Sequence, residues 1–206
     1  PTAQKKDSQG LCFIGKVRLP EFLQQQLEVK PGDIIEIEES HPMFAERQAL
    51  SVDSPKMDAH AYKFSPDQGQ VVGRHQGAHF FTVGQRKGLQ VGGKAEPLFV
   101  LAKDVVTNHL YVGQSAEHPG LNRKALFMRE EEVHWIREDL AMEIGDRQSS
   151  WSFRFRYRQP LQQGTITRSE DGYYIEFELP QAGIAAGQFA AWYDGDECIG
   201  SGVISD

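Results

Sequence analysis

Ser152-Phe153-Arg154-Phe155-Arg156-Tyr157-Arg158-Gln159 alternates aromatic and guanidinium side chains with a period of two. Successive side chains of a β-strand point to opposite faces. The stretch therefore predicts a strand with Phe153, Phe155 and Tyr157 directed into a core and Arg154, Arg156 and Arg158 in a row outside. Such a row suits phosphate oxygens. A solvated strand face balanced by nearby carboxylates fits the same pattern. Outward from this stretch, 125–128, 164–167, 173–179, 189–193 and 199–204 are also strand-like, and Glu170-Asp171-Gly172 and Asp194-Gly195-Asp196 supply turns between them. Short strands at this spacing predict a small antiparallel barrel over residues 119–206.

Upstream the pattern is mixed. Pro20 and Glu21 suit a first helical turn, and Leu19, Phe22, Leu23 and Leu27 share one face, which predicts a short helix. Residues 34–38 and 71–83 are strand-like, and 98–104 with 109–113 form a predicted hairpin across Val105-Val106-Thr107-Asn108. Residues 39–70 are polar, punctuated by Pro42, Pro55 and Pro66, and are read as an irregular insertion of roughly thirty residues in an otherwise tightly connected unit. His118-Pro119-Gly120 marks a predicted boundary, giving a small mixed α/β domain over 1–118 before the barrel. The expected class is mainly β with minor α.

Net charge is −7 over 206 residues. Residues 1–120 carry 13 Lys/Arg against 14 Asp/Glu, and residues 121–206 carry 9 against 15, so neither part is a polybasic module. Any contact with RNA must come from local patches. No apolar run approaches membrane-spanning length and the start is polar, so the expected location is the cytoplasm. Two distant cysteines make no disulfide framework. His75 and His79 are four apart, but Gly73 and Gly77 argue against the helix that would make them zinc ligands, and His41 and His60 have no metal-like spacing; no metal is expected.

Lys5-Lys6-Asp7-Ser8-Gln9-Gly10-Leu11-Cys12-Phe13-Ile14-Gly15 places a thiol in a short apolar run between glycines, with lysines nearby to favour the thiolate. The same run suits a small buried cysteine. Gly84-Gln85-Arg86-Lys87-Gly88 sets two cations and an amide on a glycine-bounded loop, suited either to gripping RNA or to a tight turn with exposed charges. Cys198, flanked by glycines in a predicted strand, reads as core.

Taken together, the Cys12 stretch, Gly73-Arg74-His75-Gln76-Gly77 leading into Thr82-Val83-Gly84-Gln85-Arg86-Lys87-Gly88-Leu89, Arg156-Tyr157-Arg158-Gln159, and Gly187-Gln188 followed by Tyr193-Asp194-Gly195 and Cys198-Ile199-Gly200-Ser201-Gly202 resemble, in order, the motifs of the bacterial and mitochondrial tRNA-specific 2-thiouridylases. The resemblance implies a small mixed central domain followed by a six-stranded antiparallel β-barrel similar to the second domain of elongation factor Tu. It implies an enzyme that adenylates the wobble uridine with ATP and replaces its 2-oxygen with sulfur carried as a persulfide on Cys12. Cys12 would also pair in a disulfide with a first cysteine in an N-terminal domain. Tyr157, Arg158 and Gln188 fall at tRNA-contacting positions, and Gln85, Arg86 and Lys87 join them on the reading of their loop. The implied partners are tRNA and a sulfur donor, either a cysteine desulfurase or a sulfur-relay protein, with no membrane.

The chain begins at Pro1, enters the cysteine motif at once and has no Ser-Gly-Gly-x-Asp-Ser phosphate loop. It is therefore expected to be part of a longer protein whose ATP-binding domain lies elsewhere, and to be inactive alone. The alternative is a non-catalytic RNA-binding or protein-interaction barrel with Cys12 in a structural role.

Overall fold

A computed structural model describes residues 28–53, 55–156 and 159–206. Cys12, the helix expected over 19–27, Tyr157 and Arg158 lie outside the described residues.

The first sheet contains β1 (Gly32–Glu36), β2 (Gln70–His75), β3 (Leu98–Asp104) and β4 (His109–Gln114), in the order β2-β1-β4-β3. β1 pairs parallel with β4, while β1–β2 and β3–β4 are antiparallel. Adjacent Ile34 and Ile35 are both buried because both faces of this sheet are covered. Ile34 packs with Phe81, Leu89, Leu98, Val100, Leu110 and Val112. Ile35 packs with Ile37, Phe44, Leu101, Tyr111 and Leu121 on the other side. The β3–β4 hairpin is closed by Asp104, whose Oδ1 accepts the Val106 and Thr107 amides at 2.8 and 3.0 Å. Asn108 follows in the left-handed region at φ 59°, which asparagine tolerates.

The stretch read as polar and irregular has more structure than its composition suggests. It holds the helix Pro42–Asp53 and the 3-10 segments Pro55–Ala59 and Pro66–Gln68. Phe44 from that helix is buried against Tyr62, Phe64 and His118. A few aromatic anchors separated by polar residues give no clean period, so the sequence pattern under-reports this layer.

The second sheet is antiparallel throughout and curls on itself. Its strands are β5 (Asn122–Met128), β6 (Val133–Trp135), β7 (Arg147–Gln148), β8 (Ser152–Arg154), β9 (Gln162–Ser169), β10 (Gly172–Ala182), β11 (Phe189–Asp194) and β12 (Glu197–Val203). The order is β5-β10-β9-β8-β11-β12-β6, with β7 on β9. Just beyond β12, Ser205 bridges to Phe127 of β5, its amide donating to the Phe127 carbonyl at 2.8 Å. Six strands thus follow one another around the curl, and β6 and β7 are short additions. This is the mainly β architecture with an antiparallel barrel that the sequence leads one to expect.

The alternation around β8 behaves as read on its inner face. Phe153 is fully buried and Phe155 nearly so, within a core that includes Met128, Ile166, Ile175, Phe177, Trp192 and Ile199. Gly200 permits that packing, since a Cβ there would lie 2.5 Å from the Trp192 ring. The outer face differs from expectation. The strand ends at Arg154, so Arg156 lies beyond it and the two do not continue one regular strand face.

His118 sits where the two sheets meet and is 1% exposed. Its Nδ1 accepts the Gly120 amide at 3.0 Å, which leaves the proton on Nε2 to be donated to the Ile37 carbonyl at 3.1 Å. Burial holds its pKa below the ordinary histidine value, against the opposing pull of the Ile37 carbonyl, Glu39 and Glu36. A pKa lowered by folding means that the unfolded chain binds the extra proton first, so stability is present above the unfolded value of 6.5 and is lost as pH falls below it. Denaturant titrations between pH 7.5 and 5.5 are expected to show falling stability below about pH 6.5, with a shallower fall in His118→Gln. An identical pH slope in that variant would remove the assignment.

Candidate nucleic-acid interface

The glycine-bounded turn leaves β2 and lies against β3. Gly84 donates to the Val100 carbonyl at 2.8 Å, and Val100 donates back to the Gln85 carbonyl at 3.0 Å. Gly84 and Gly88 have φ of +82° and +92°, so the reversal uses the conformations that glycine alone enters without strain. Leu89 closes the turn by burying its side chain beside Ile34 and Val100. Between these anchors Arg86 and Lys87 are exposed, and their side chains make no hydrogen bond or ion pair among the described residues. Gln85 also has a use inside the turn. Its Oε1 accepts the Thr82 amide at 3.1 Å and its Nε2 donates to the Lys87 carbonyl at 2.8 Å, so its amide shapes the turn that presents the two cations.

Gln188 lies at the end of the loop between β10 and β11. Its Oε1 accepts the Ala185 amide and its backbone amide donates to the Ala185 carbonyl, each at 3.3 Å. Its carbonyl accepts from Ile204 at 2.7 Å. The side chain is half-buried, and Nε2 is left without a hydrogen-bond partner among the described residues. Phe189 follows it at the start of β11 with 63% of its surface exposed.

Arg156 brings these two loops together. Its Nη2 donates to the Gly183 carbonyl at 2.7 Å and reaches the Val83 carbonyl at 3.5 Å. Partial desolvation against these carbonyls lowers the pKa of its guanidinium. Arg156 is exposed, as the strand pattern leads one to expect, and its guanidinium is also engaged with backbone carbonyls. Gln159, on the other side of Tyr157 and Arg158, is held by Gln181, whose Oε1 accepts its Nε2 at 2.8 Å. Arg154 is half-buried with its Nε enclosed and unpartnered. Local spacing carries no signal for the Arg156–Gly183 contact, because its partners are 27 residues apart.

The remaining candidates fall elsewhere. Cys198 is half-buried in β12, its thiol 3.8 Å from the Gly200 carbonyl. His75 ends β2 and His79 lies in the 3-10 turn Ala78–Phe80, so the two do not share a helix. His75 Nδ1 accepts the Gly77 amide at 2.9 Å, and Nε2 of both rings is buried without a partner. Among the described residues no group of three or more His, Cys, Asp or Glu is placed to hold a metal ion.

A nucleoside triphosphate also lacks a fit among the described residues. The helix Pro42–Asp53 opens on Pro42, with His41 Nδ1 accepting the Met43 amide at 3.3 Å, and Gly92 and Gly93 face open space. A cleft of about 540 Å³ is lined by Glu36, Glu38, Glu39 and Glu96 with Lys94 and His118, an acidic lining unsuited to phosphates that contains none of the sequence-predicted residues.

Replacing Gln85 by Ala removes two hydrogen bonds that shape the turn. The Thr82 amide is expected to exchange faster with solvent, with a stability loss of about 1–3 kcal/mol. Unchanged exchange at Thr82 would show that the turn holds without the amide.

Two family profiles match the chain in order. The tRNA methyl transferase PRC-barrel domain covers residues 58–114 and the aminomethyltransferase beta-barrel domain covers residues 127–204. The chain is 54% identical over 99% of its length to a tRNA-specific 2-thiouridylase MnmA of Flavobacterium johnsoniae, and covers 52% of that protein. Proteins of the same description from Christiangramia forsetii and Karelsulcia muelleri are 51% and 41% identical, over 99% and 98% of this chain and 52% and 51% of their own lengths. The chain thus spans about half the length of the curated relatives it matches. With its mixed sheet and curled antiparallel sheet both matched in order, and these relatives aligned almost end to end with it, the chain belongs to the tRNA-specific 2-thiouridylase family.

Proposed function

We propose that this chain supplies the persulfide cysteine and part of the tRNA grip of an enzyme that makes 2-thiouridine at the wobble position. The observation that carries this reading is the meeting of two sequence-distant motifs. The turn bearing Arg86 and Lys87 and the loop bearing Gln188 touch at Arg156, immediately before Tyr157 and Arg158. The two loops between them carry two exposed cations, a half-buried amide and an exposed aromatic ring. Cations position a phosphate backbone, and an amide can pair with phosphate or with a base edge.

In this reading residues 1–118 and 119–206 act as two domains that share the interface. Cys12 receives sulfur from a cysteine desulfurase or a sulfur-relay protein and carries it as a persulfide. None of the described residues is assigned to ATP, and activation of the uridine belongs to a nucleotide-binding region beyond them. The setting is the cytoplasm, and among the described residues no helix is long and apolar enough to cross a membrane.

In the full-length enzyme, Cys12→Ser is expected to abolish 2-thiouridine formation measured by nucleoside mass spectrometry. Persistent thiolation would overturn the persulfide assignment and favour a structural cysteine. Removing both cations, as Arg86→Ala/Lys87→Ala, is expected to weaken tRNA binding on the order of tenfold at low salt. It should also make the log K against log[salt] slope shallower by about 0.7–0.9 for each phosphate that is no longer neutralised. An unaltered slope with unaltered affinity would exclude this loop from the interface.

A further inference from the structure

The loops that meet at Arg156 are each fastened to a different sheet. The turn is tied to β3 through Gly84, Gln85 and Val100. The other loop is tied to the curled sheet where Gly183 donates to the Leu121 carbonyl at 2.9 Å and Gly187 to the Ile204 carbonyl at 2.8 Å. Neither set of bonds fixes one loop against the other. We propose that Arg156 and Gly183 form a positioning joint that registers the 82–88 turn against the 183–188 loop, so that tRNA affinity depends on this joint as well as on the side chains that reach the RNA. The inference rests on the reading of those two loops as tRNA-contacting.

The joint is built without spare room. A Cβ at Gly183 would lie 2.3 Å from Arg156 Nη2, and one at Gly84 would lie 3.3 Å from the same nitrogen and 3.7 Å from the Gly183 Cα. Gly183 also has φ of +67°, a backbone conformation that a side chain would strain. Glycine at 183 is thus needed for both the turn and the close approach of the guanidinium. A planar guanidinium can hold Nη2 between two carbonyls from different loops, whereas a lysine ammonium is a point charge on a flexible stem. Loss of the joint leaves each loop fastened to its own sheet by the backbone bonds above, and Arg123 separately holds the Ala59 and Ile184 carbonyls at 2.8 and 2.9 Å. The fold therefore survives while the spacing of the loops slackens, and a binding surface displaced by about 1 Å loses much of its effect.

The test is tRNA binding by the chain, followed by fluorescence anisotropy with an unmodified tRNA transcript carrying a wobble uridine, for Gly183→Ala, Arg156→Lys and the double variant. Gly183→Ala removes no group that can touch phosphate. It is expected to weaken binding about tenfold while the salt slope stays at the wild-type value, and the double variant is expected to be no weaker than the weaker single variant. Arg156→Lys keeps the charge and loses the fork, and is expected to bind as poorly as Gly183→Ala. Wild-type affinity in a folded Gly183→Ala protein would overturn the joint. If Gly183→Ala does not fold, Arg156→Lys decides: wild-type binding shows that charge and not position matters, and overturns it equally. Arg86→Ala/Lys87→Ala runs alongside. Full-strength binding by that variant would remove the tRNA reading and the joint with it, whereas weakened binding there beside unaffected Gly183→Ala and Arg156→Lys would remove the joint alone.

Discussion

The segment that follows the helix Pro42–Asp53 is held to the curled sheet by a buried guanidinium. Arg123 of β5 is 4% exposed and donates to the Ala59 carbonyl and the Ile184 carbonyl. Burying a cation is costly unless its donors are satisfied, and here the partners are backbone carbonyls from segments 61 and 64 residues away. Desolvation lowers the Arg123 pKa, while the field of Asp206 and Asp58 opposes that shift. The same carboxylates hold the surrounding backbone. Asp206 accepts the Ala61 amide at 3.3 Å, and Asp58 accepts the Lys124 amide at 2.5 Å. The region 58–61 is thereby fastened to both ends of the curled sheet. Arg47 adds a bond to the His60 carbonyl at 2.7 Å and lies 3.8 Å over the Tyr62 ring.

The tRNA surface proposed above lies on a chain with a net negative charge. Its cations are not pooled in one basic module. Arg47, Arg123 and Arg156 bond backbone carbonyls, and Arg137 and Arg168 are paired with carboxylates. Arg86 and Lys87 make no such contact among the described residues. Their distinction comes from a turn whose own amide groups, those of Gln85 included, are used in holding its shape. Few phosphate contacts give modest affinity, so where those contacts sit weighs more than how many there are. The contact of the Arg156 guanidinium with the Val83 and Gly183 carbonyls would serve that geometric demand in the proposed interface.

Much was legible in the sequence where the physics is local. The Phe153/Phe155 alternation reports a strand because period two and one buried face impose it, and the β3–β4 hairpin is announced by Asp104 and Asn108 flanking its turn. The layer built by the helix Pro42–Asp53 was not legible, since Phe44, Tyr62 and Phe64 are apolar anchors in a polar stretch and Phe44 also packs on His118, far along the chain. Arg156 was legible as an outward guanidinium, and its carbonyl partners were not, because a strand pattern assigns a face without saying what waits on it.

The sequence by itself determined the mainly β class, the inner face of the barrel strands and which motifs bear thiol, cations and amides, because backbone propensity, side-chain period and functional-group chemistry act over a few residues. Tertiary structure alone decided that the 84–88 turn meets the 183–188 loop, that Arg156 serves backbone carbonyls, and that Arg123 ties the 55–59 segment to the curled sheet. Those outcomes depend on closing separations of 27 to 73 residues, which no local pattern encodes and which only simultaneous burial of both sheets brings about.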